Sequence, residues 1–366
     1  MHRGRELIIN GRFLGQATTG VQRYAFGISS AIDQLIADGH PAVASLRVAV
    51  ARPSADISPF PFPHLEEKRL GRLRGHAWEQ LELPFHCKTA PLLNFCNVCP
   101  LLGRNNLTVV HDANVWLAPD NYSRAFRTAY HALLPAGIRR SSAWVTLSKY
   151  SAERLLALRI ADRPPTAIIG SGADHMSVPD GARSKYAALE PAKPYVFALG
   201  SRSRSKNLDL IRSLAPELGA KSIRIIVAGD SNTKVFSRRE SGCDKNNVID
   251  LGRVDDDDLV YLLKNCLCFV FPSYHEGFGI PPIEAMAVGA PVISSNAASM
   301  PEVLGEAALY CEPDHRSAWI AAVLRLNDDP ALRADLIERG HSQAAKYRWQ
   351  DSALRFLNLA DQMLSH

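Results

Sequence analysis

Apolar residues along the chain form short runs that alternate with longer amphipathic stretches. In the first of these stretches they recur at helical spacing, which predicts one helix with a single buried face: Val21, Tyr24, Ala25, Ile28, Ile32, Leu35 and Ile36. Four runs of strand-like length come next, namely SLRVAV, LTVV, AWVTL and TAII. The separations between them leave room for helical crossovers, which is typical of alternating strands and helices.

A second alternating set follows a change in composition. Residues 175–194 are rich in proline, glycine and charge and have no clean period, so we interpret them as a linker. The strand candidates beyond it are YVFAL, IRIIVAG, NVIDL, CLCFVF, PVISS and AALYC, with helix candidates NLDLIRSLAPEL and DDLVYLLKN between them. Strands that alternate with helices predict right-handed βαβ units and mostly parallel sheets. We therefore predict an α/β fold with two doubly wound domains facing across a cleft, covering residues 1–180 and 181–345.

Composition agrees with a soluble globular protein of two or three domains. The chain has 366 residues, of which 46% are hydrophobic and 22% are charged. No window approaches the roughly 18–20 apolar residues of a membrane-spanning helix, and the first residues, MHRGRELIINGRF, lack a secretory apolar region. Seven cysteines without an export signal indicate reduced thiols. These features predict a cytoplasmic protein.

Basic charge is concentrated in the first half of the chain. Residues 1–180 hold 20 Lys and Arg against 14 Asp and Glu, whereas residues 181–366 hold 22 against 23. One dense run contains Lys68, Arg69, Arg72 and Arg74. Such a run can meet phosphates, nucleic acid or an anionic membrane surface, and a solvated surface loop explains it equally well.

The most informative segment is FVFPSYHEGFGIPPIEAMAVGAPVIS, residues 269–294. It predicts a strand, a glycine-containing loop with Glu276, and a helix that starts near Pro281 and has Glu284 in its first turn. A helix start offers free amides and the positive end of the helix dipole to an anion such as a diphosphate. A surface charge at Glu276, or a dipole-complementing charge at Glu284, would explain either glutamate alone. Neither explains the whole segment.

The Glu-x7-Glu pattern within EGFGIPPIEAMAVGAPVI, preceded by FPSYH and followed by SNAASMPEVLGEAALYCEPD, resembles the signature of retaining glycosyltransferases of family 4. These enzymes have the GT-B fold. Other blocks are similar in the expected order: TGVQRYAFGIS, VVHDANVW, WVTLSKYSAERL and IIGSGAD. Residues 40–105 match no block of the family. In detail the pattern is most similar to bacterial mannosyltransferases that build surface polysaccharides.

The resemblance implies a role for each matching residue. Glu284 would bind the ribose of a nucleotide sugar, Glu276 the hydroxyls of the donor sugar, and Lys206 the diphosphate. His111, which follows the run LTVV, would contact the donor sugar, with Asp112 adjacent to it. The remaining implied donor contacts are backbone amides, those of Phe278, Gly279 and Ile280 and the helix start after Gly20.

One position departs from the family pattern. An arginine usually follows the glycine that matches Gly200, and here that residue is Ser201. Either Arg202 or Arg204 would supply the missing charge, and the sequence does not choose between them.

The reaction implied is transfer of a sugar from a nucleotide diphosphate donor to a hydroxyl, with retention, by front-face attack and without a metal ion or other cofactor. GDP-mannose is the first choice of donor and a dTDP- or UDP-sugar is the second. The implied acceptor is a glycan or a polyprenyl-diphosphate-linked oligosaccharide at the inner face of the cytoplasmic membrane, and the basic first domain fits an anionic membrane surface. In this family a C-terminal helix, here residues 346–366, commonly crosses back to the first domain.

Two other functions use the same features less completely. A nucleotide-sugar 2-epimerase shares the architecture. A nucleic-acid-binding protein would explain the basic half, but aromatic-rich RNA-binding signatures and a helix-turn-helix are absent from the sequence, so we predict no nucleic-acid partner.

Several shorter motifs carry no further chemistry. GQATTG lacks the Lys-Ser/Thr of a phosphate-binding P-loop, and no G-x-G-x-x-G occurs. Cys96 and Cys99 have no second pair at zinc-site spacing, while Cys266 and Cys268 fit a strand core. The acidic run Asp255–Asp258 is typical of a helix start. We predict no metal site.

Overall fold

The computed structural model describes residues 5–87, 90–103, 105–177, 184–186, 194–201, 203–229 and 247–364. Contacts between residues divide the chain into two units. Unit 1 contains Met1–Gly172 and Arg348–His366, and unit 2 contains Ala173–Tyr347.

Unit 1 is built on a parallel sheet in the order β3-β2-β1-β4-β5-β6-β7. Its strands are β1 (Arg5–Asn10), β2 (Leu46–Pro53), β3 (Glu66–Leu70), β4 (Leu92–Asn94), β5 (Asn106–Val109), β6 (Ala143–Thr146) and β7 (Ala167–Ile168). Its helices up to residue 172 are α1 (Gly20–Ala37), α2 (Gly75–Leu81), α3 (Leu83–His86), α4 (Asn114–Leu117), α5 (Arg124–Arg140) and α6 (Lys149–Ala157). Short 3-10 turns cover Gly11–Gly15, Pro41–Val43 and Pro119–Asn121.

Unit 2 has a second parallel sheet in the order β10-β9-β8-β11-β12-β13. The strands are β8 (Tyr195–Leu199), β9 (Arg224–Ala228), β10 (Val248–Gly252), β11 (Cys268–Phe271), β12 (Val292–Ser295) and β13 (Ala308–Cys311). The helices are α7 (Leu208–Ser213), α8 (Ala215–Ala220), α9 (Asp256–Lys264), α10 (Ile280–Ala287), α11 (Met300–Leu304), α12 (Arg316–Asp328) and α13 (Pro330–Ala344). Asp174–Ser177 and Arg204–Lys206 are 3-10 turns.

Both sheets reverse their strand order at a central pair of strands. The pair is β1 and β4 in unit 1 and β8 and β11 in unit 2. In open α/β sheets, ligands bind beyond the carboxyl ends of the strands at such a point. The predicted α/β class with two doubly wound parallel sheets is confirmed, and each unit has one crevice in which to look for chemistry.

Three strands and one helix break differ from the sequence prediction. The residues of β1 and β4 were not predicted as strands, and β3 (EEKRL) has no apolar pattern because it is an edge strand that pairs with β2 alone. The predicted helix over NLDLIRSLAPEL is two helices, α7 and α8. Pro216 lies in the first turn of α8, where its missing N–H needs no partner.

The last helix, α14 (Trp349–Leu364), packs on α1 within unit 1. Trp349 makes an edge-to-face contact with Tyr24 at 5.8 Å between ring centroids. The Ser352 hydroxyl donates a hydrogen bond of 2.9 Å to the carbonyl of Gly170. The chain thus returns to its first unit through a buried aromatic contact.

The unit boundaries differ from the predicted ones by a few residues. The sequence placed them after residues 180 and 345, whereas the contacts place them after Gly172 and Tyr347. The reason is local: the amide of Ala173 donates to the carbonyl of Tyr347 at 3.0 Å, and the turn that follows packs on α10 of unit 2.

Within the described part of the chain, no helix combines the length and the hydropathy that crossing a membrane requires. The acidic run contains the start of α9, as predicted: the Asp255 side chain accepts from the amide of Asp258 at 2.8 Å. Of residues 175–194, the predicted linker, only 175–177, 184–186 and 194 lie within the described residues.

The contact between α1 and α14 predicts that an added methyl group lowers the free energy of unfolding at one position of α1 but not at another. An alanine Cβ at position 27 would come within 2.4 Å of Trp349, whereas one at position 20 of the same helix meets nothing within 4 Å. We expect Gly27→Ala to destabilise unit 1 by about 1–3 kcal/mol through overpacking. The measurement is urea unfolding followed by tryptophan fluorescence. Gly20→Ala is the control, and equal midpoints for the two variants would contradict this account of the packing.

Candidate active site

The crevice of unit 2 brings together two residues singled out from the sequence. Lys206 lies in the loop after β8, and Glu276 lies in the loop after β11. The Nζ of Lys206 is 2.5 Å from Oε1 of Glu276, and both side chains are largely buried. The Lys206 stem packs along Gly200, and its ammonium group lies 5.4 Å from the centre of the Phe271 ring. A cation and a carboxylate are therefore fixed at the switch point of the sheet.

Hydrogen bonds to backbone carbonyls hold the two loops in place. The amide of Tyr274 donates to the carbonyl of Ser205 at 2.8 Å, which ties the loop after β11 to the loop after β8. The Ser299 hydroxyl donates to the carbonyl of Glu276 at 3.1 Å. Asn207 ends the 3-10 turn in the left-handed region, with φ of 51°, and its side chain donates to the carbonyl of Pro313. The ion pair is thus supported on both sides by fixed backbone.

Gly279 is required at the start of α10. It caps the helix with φ of 90°, a conformation that side chains rarely adopt, and an added Cβ would lie 2.2 Å from the Cε of Met300. Ile280 begins the helix, and Phe278 is buried in an edge-to-face contact with Tyr347 at 5.2 Å. Because prolines follow Ile280, the helix start offers few amides, and they are concentrated at residues 278–280.

Glu284 lies deeper in α10 than the sequence predicted. It is the fifth residue of the helix and not part of its first turn, because the helix begins at Ile280. The side chain is almost fully buried, and its Oε1 lies 3.1 Å from Nε2 of His175. Since a carboxylate can only accept, the imidazole N–H donates. A buried carboxylate with an orienting histidine is suited to accept hydrogen bonds from a sugar hydroxyl.

Two histidines next to the glutamates were missed in the sequence. His175 comes directly after the block IIGSGAD, and only the fold brings it to Glu284. His275 precedes Glu276; its Nδ1 is buried and has no hydrogen-bond partner among the described residues. Burial lowers the pKa of His275, although the Glu276 carboxylate opposes this shift. Position next to the motif was the one sequence signal for His275.

The positions around the missing arginine differ in what they offer. Ser201 is exposed and its hydroxyl donates to that of Ser203 at 3.1 Å. Arg204 is exposed on the same 3-10 turn as Lys206, and its side chain makes no ion pair within the described residues. Arg202 lies outside the described residues.

In unit 1, His111 directly follows the β5 region and is held in one tautomer. Its Nε2 is 2.7 Å from the carbonyl of Phe95, so this nitrogen carries the hydrogen. The Asn97 side chain accepts from the His111 amide at 2.8 Å, and the Tyr24 ring packs edge-to-face on the imidazole at 5.1 Å. Burial lowers the pKa of His111 to about 4. The residue is a neutral imidazole with Nδ1 as its acceptor.

Gly20 and Asp112 have simpler surroundings. Helix α1 begins at Gly20 itself, one residue earlier than the predicted start after Gly20, and open space surrounds the position of an added Cβ. Asp112 accepts from the amide of Asn114 at 2.8 Å at the start of α4. Its carboxylate therefore orders the loop after His111.

The crevice of unit 1 also contains a buried polar network that the sequence did not reveal. Asn10, at the end of β1, donates to Glu79 at 2.8 Å and to Asn94, at the end of β4, at 3.0 Å. Arg12 Nε donates to the same Glu79 oxygen at 3.0 Å, and all four side chains are buried. An asparagine directly after each of two apolar runs was the available signal. The network connects the ends of β1 and β4 at the switch point of the unit 1 sheet. Its Arg12 and Glu79 charges cancel.

The lowered pKa of His111 predicts a pH-dependent contribution to stability. The folded pKa of about 4 lies below the ordinary histidine pKa of 6.5, so the unfolded chain takes up the proton first as the pH falls. This contribution is complete above the unfolded pKa and is lost as the pH falls towards the folded one. Between pH 7 and pH 5 we expect His111 to account for a loss of about 2 kcal/mol in the free energy of unfolding.

The test compares urea unfolding of the wild type and His111→Gln at both pH values. The glutamine amide keeps a donor for the Phe95 carbonyl but does not titrate, so the variant should lose less stability on acidification. Identical pH dependence in the two proteins would contradict the assignment of a buried neutral imidazole.

Comparisons with known proteins agree with the fold and the motif. The family model described as glycosyl transferases group 1 matches residues 183–343. The O-antigen chain mannosyltransferase RfbU of Salmonella typhimurium is 26% identical over 93% of this chain and 95% of its own length. The O-antigen chain mannosyltransferase B of Escherichia coli is 27% identical over 80% of this chain and 79% of its own length.

Solved structures match the entire fold at lower identity. Sucrose-phosphate synthase from Thermosynechococcus elongatus superposes with a TM-score of 0.74 at 20% identity, over 99% of this chain and all of that one. WaaG, a glycosyltransferase of lipopolysaccharide biosynthesis, superposes with a TM-score of 0.65 at 16% identity, over 97% and 98%. The chain therefore has the GT-B fold, and its residues 183–343 match the family of group 1 glycosyl transferases.

Proposed function

We propose that the protein transfers mannose from GDP-mannose, with retention, to a hydroxyl of a glycan or lipid-linked oligosaccharide in the synthesis of a bacterial surface polysaccharide. The observation that carries the proposal is the Lys206–Glu276 pair at the switch point of unit 2, with Glu284 buried on the adjoining helix. Similarity to two O-antigen mannosyltransferases supports mannose as the sugar.

Each group in this crevice has chemistry that suits one part of the donor. Glu284 is an acceptor for ribose hydroxyls and is oriented by His175. Lys206 and the amides at residues 278–280 suit a diphosphate, because cleavage of the sugar–phosphate bond develops negative charge on the leaving group and a fixed cation stabilises it. When the donor binds, the Glu276 carboxylate would give up part of its contact with Lys206 and accept hydrogen bonds from hydroxyls of the sugar.

The proposed reaction is front-face attack. Oε1 of Glu276 is bound to Lys206, which favours a role in holding the sugar over one as a covalent nucleophile. The acceptor oxygen forms a bond to the anomeric carbon as the bond to the diphosphate breaks, and the departing phosphate oxygen takes the acceptor proton. The role of His111 at the donor sugar, which the resemblance implies, stays a prediction. Independence of metal ions stays a prediction.

A dTDP- or UDP-sugar is the second choice of donor. One structural neighbour at 14% identity was solved with UDP and glucose, so the fold accommodates a different nucleotide in that protein. A lipid-linked acceptor would place the enzyme at the inner face of the cytoplasmic membrane, which is part of the proposal.

The donor is identified by release of nucleoside diphosphate from GDP-mannose, dTDP-rhamnose, UDP-glucose, UDP-galactose and UDP-N-acetylglucosamine. We expect slow hydrolysis of GDP-mannose, or a rise in the unfolding temperature with that donor alone, because a ligand bound to the folded state stabilises it. Selective turnover or binding of a uridine or thymidine donor would contradict GDP-mannose. If folded protein bound none of the sugar nucleotides or free nucleotides, the transferase proposal would fall. A 2-epimerase would convert the sugar nucleotide itself without an acceptor.

Substitution of the two glutamates separates binding from turnover. Glu284→Ala should weaken GDP binding by about 1–3 kcal/mol, because buried ribose hydroxyls would lose their acceptor. Glu276→Ala should instead lower kcat more than it changes affinity. Calorimetry with GDP and initial rates with donor measure the two effects. Glu338→Ala is the control, because Glu338 is exposed on α13 of the same unit. Wild-type behaviour in both site variants would contradict the assignment.

A further inference from the structure

Large apolar side chains are exposed mainly on one part of unit 1. Seven of them are exposed among the described residues: Ile57, Leu73, Leu81, Phe85, Leu102, Phe126 and Leu158. Five of these belong to the segment around α2 and α3, the loop before β5, and α5. Leu81, Phe85 and Leu102 are each more than half exposed, at 56%, 60% and 59%. Such exposure is unusual where the same helices bury tryptophan and leucine on their other side.

Hydrogen bonds and a ring contact join these segments into one surface. The Gln80 side chain of α2 donates to the carbonyl of Cys99 at 2.9 Å and accepts from the amide of Leu101 at 3.0 Å. Arg140, at the end of α5, donates to the carbonyl of Leu101. His76 of α2 contacts the ring of Tyr130 of α5 at 6.5 Å. We call the exposed side chains of residues 72–86, 101–103 and 124–140 the α2–α3/α5 face.

The apolar residues of this face are displayed on a fixed support. Trp78 and Leu83 are fully buried, and the Trp78 indole donates to the carbonyl of Leu70 at 2.7 Å. The Glu82 carboxylate accepts from the amides of Arg72 and Leu73, each at 2.9 Å for its nearer oxygen. Leu81 and Phe85 are therefore held outward by the anchoring of their neighbours.

Positive charge surrounds these apolar side chains. Helix α5 has four arginines and no Asp or Glu among its 17 residues. The exposed side chains of Arg72, Arg124 and Arg139 make no ion pair within the described residues. The two carboxylates of the α2–α3 segment are already engaged, Glu79 with Arg12 and His76, and Glu82 with backbone amides. The face is therefore basic.

The basic run noted in the sequence carries less net positive charge in the structure than its composition indicates. Lys68 pairs with Glu6 at 2.5 Å and Arg69 pairs with Glu67 at 3.0 Å, so half of the run is neutralised on the edge strand β3. Arg72 and Arg74, the other half of the run, are exposed and belong to the α2–α3/α5 face. The positive charge that can attract anions therefore lies on this face and not on the edge strand β3.

Helix α5 also presents an aromatic ridge. Its buried residues are Leu134, Gly137 and Ile138, all in the C-terminal half. In the N-terminal half Phe126 stacks between Tyr122, at 5.3 Å, and Tyr130, at 4.1 Å. Arginines beside aromatic side chains are typical of helices that lie in the interfacial layer of a membrane.

We propose that the α2–α3/α5 face docks on an anionic lipid bilayer, with its arginines at lipid phosphates and Leu81, Phe85 and Leu102 in the interfacial layer. The inference rests on the proposed function, to which it adds the surface that brings the enzyme to a lipid-linked acceptor. A second copy is disfavoured as the occupant because a two-fold contact sets the same arginines against each other. Nucleic acid would leave the exposed apolar side chains without a partner.

The test is co-sedimentation of the full chain, without nucleotide, with vesicles of phosphatidylcholine alone or mixed with phosphatidylglycerol. We expect binding to the anionic vesicles, and weaker binding as salt is raised. The variant Leu81→Ser/Phe85→Ser/Leu102→Ser, and separately Arg72→Gln/Arg124→Gln/Arg139→Gln, should each weaken binding at least about tenfold.

Matched controls have the same chemistry elsewhere in unit 1. Leu158→Ser removes an exposed apolar side chain that lies after α6, outside the three segments of the face, and Lys68→Gln/Arg69→Gln removes paired charges. Both should bind as the wild type does. Circular dichroism and GDP binding establish that each variant is folded.

Three results would overturn the docking face. They are no binding of the wild type to anionic vesicles, equal binding by the face variants and the controls, and a lipid-free dimer that the Leu81→Ser/Phe85→Ser/Leu102→Ser variant abolishes. Because vesicle binding is measured without nucleotide, loss of docking with intact GDP binding rejects this inference alone. Loss of all nucleotide binding with intact docking rejects the proposed function instead.

Discussion

The adjacency of two parallel strands, β8 and β11, is the constraint on which the candidate site depends. Their carboxyl ends meet at the reversal of strand order, so residues 70 positions apart in the chain, Lys206 and Glu276, form one short ion pair. A largely buried cation beside a carboxylate is stable because each compensates the desolvation of the other. The same pair holds opposite charges ready for the two halves of a nucleotide sugar, the diphosphate and the hydroxylated ring.

The two units repeat one strand order but put different chemistry at the switch point. In unit 2 the groups are charged and sit beside a helix start that Gly279 shapes through its positive φ. In unit 1, Asn10, Arg12, Glu79 and Asn94 balance one another, and His111 is kept neutral by burial. A charged crevice suits a phosphate-containing donor, whereas a neutral one suits hydroxyl groups. The topology therefore does not determine the chemistry of the site, since the same strand order supports a charged crevice in unit 2 and a neutral one in unit 1.

Much of the fold follows from the apolar pattern, and the exceptions have local causes. The strands β8 to β13 are regular apolar runs between helices and were predicted, as was the stripe of α1. The edge strand β3 has no buried face to leave a pattern. The Glu-x7-Glu segment pointed to Glu276 and Glu284 before any geometry, but the partner of Glu284, His175, comes from more than a hundred residues earlier. The sequence pattern could not reveal that contact, the neutralisation of Lys68 by Glu6, or the exposure of Leu81 on α2.

The central claim is that the crevice of unit 2 holds a nucleotide diphosphate sugar. A crystal structure of the protein with GDP tests this most directly. The account requires the diphosphate beside Lys206 and the amides of residues 278–280, and the ribose hydroxyls at Glu284 opposite His175. GDP bound away from the ends of β8 and β11, or with its ribose turned from Glu284, would contradict it.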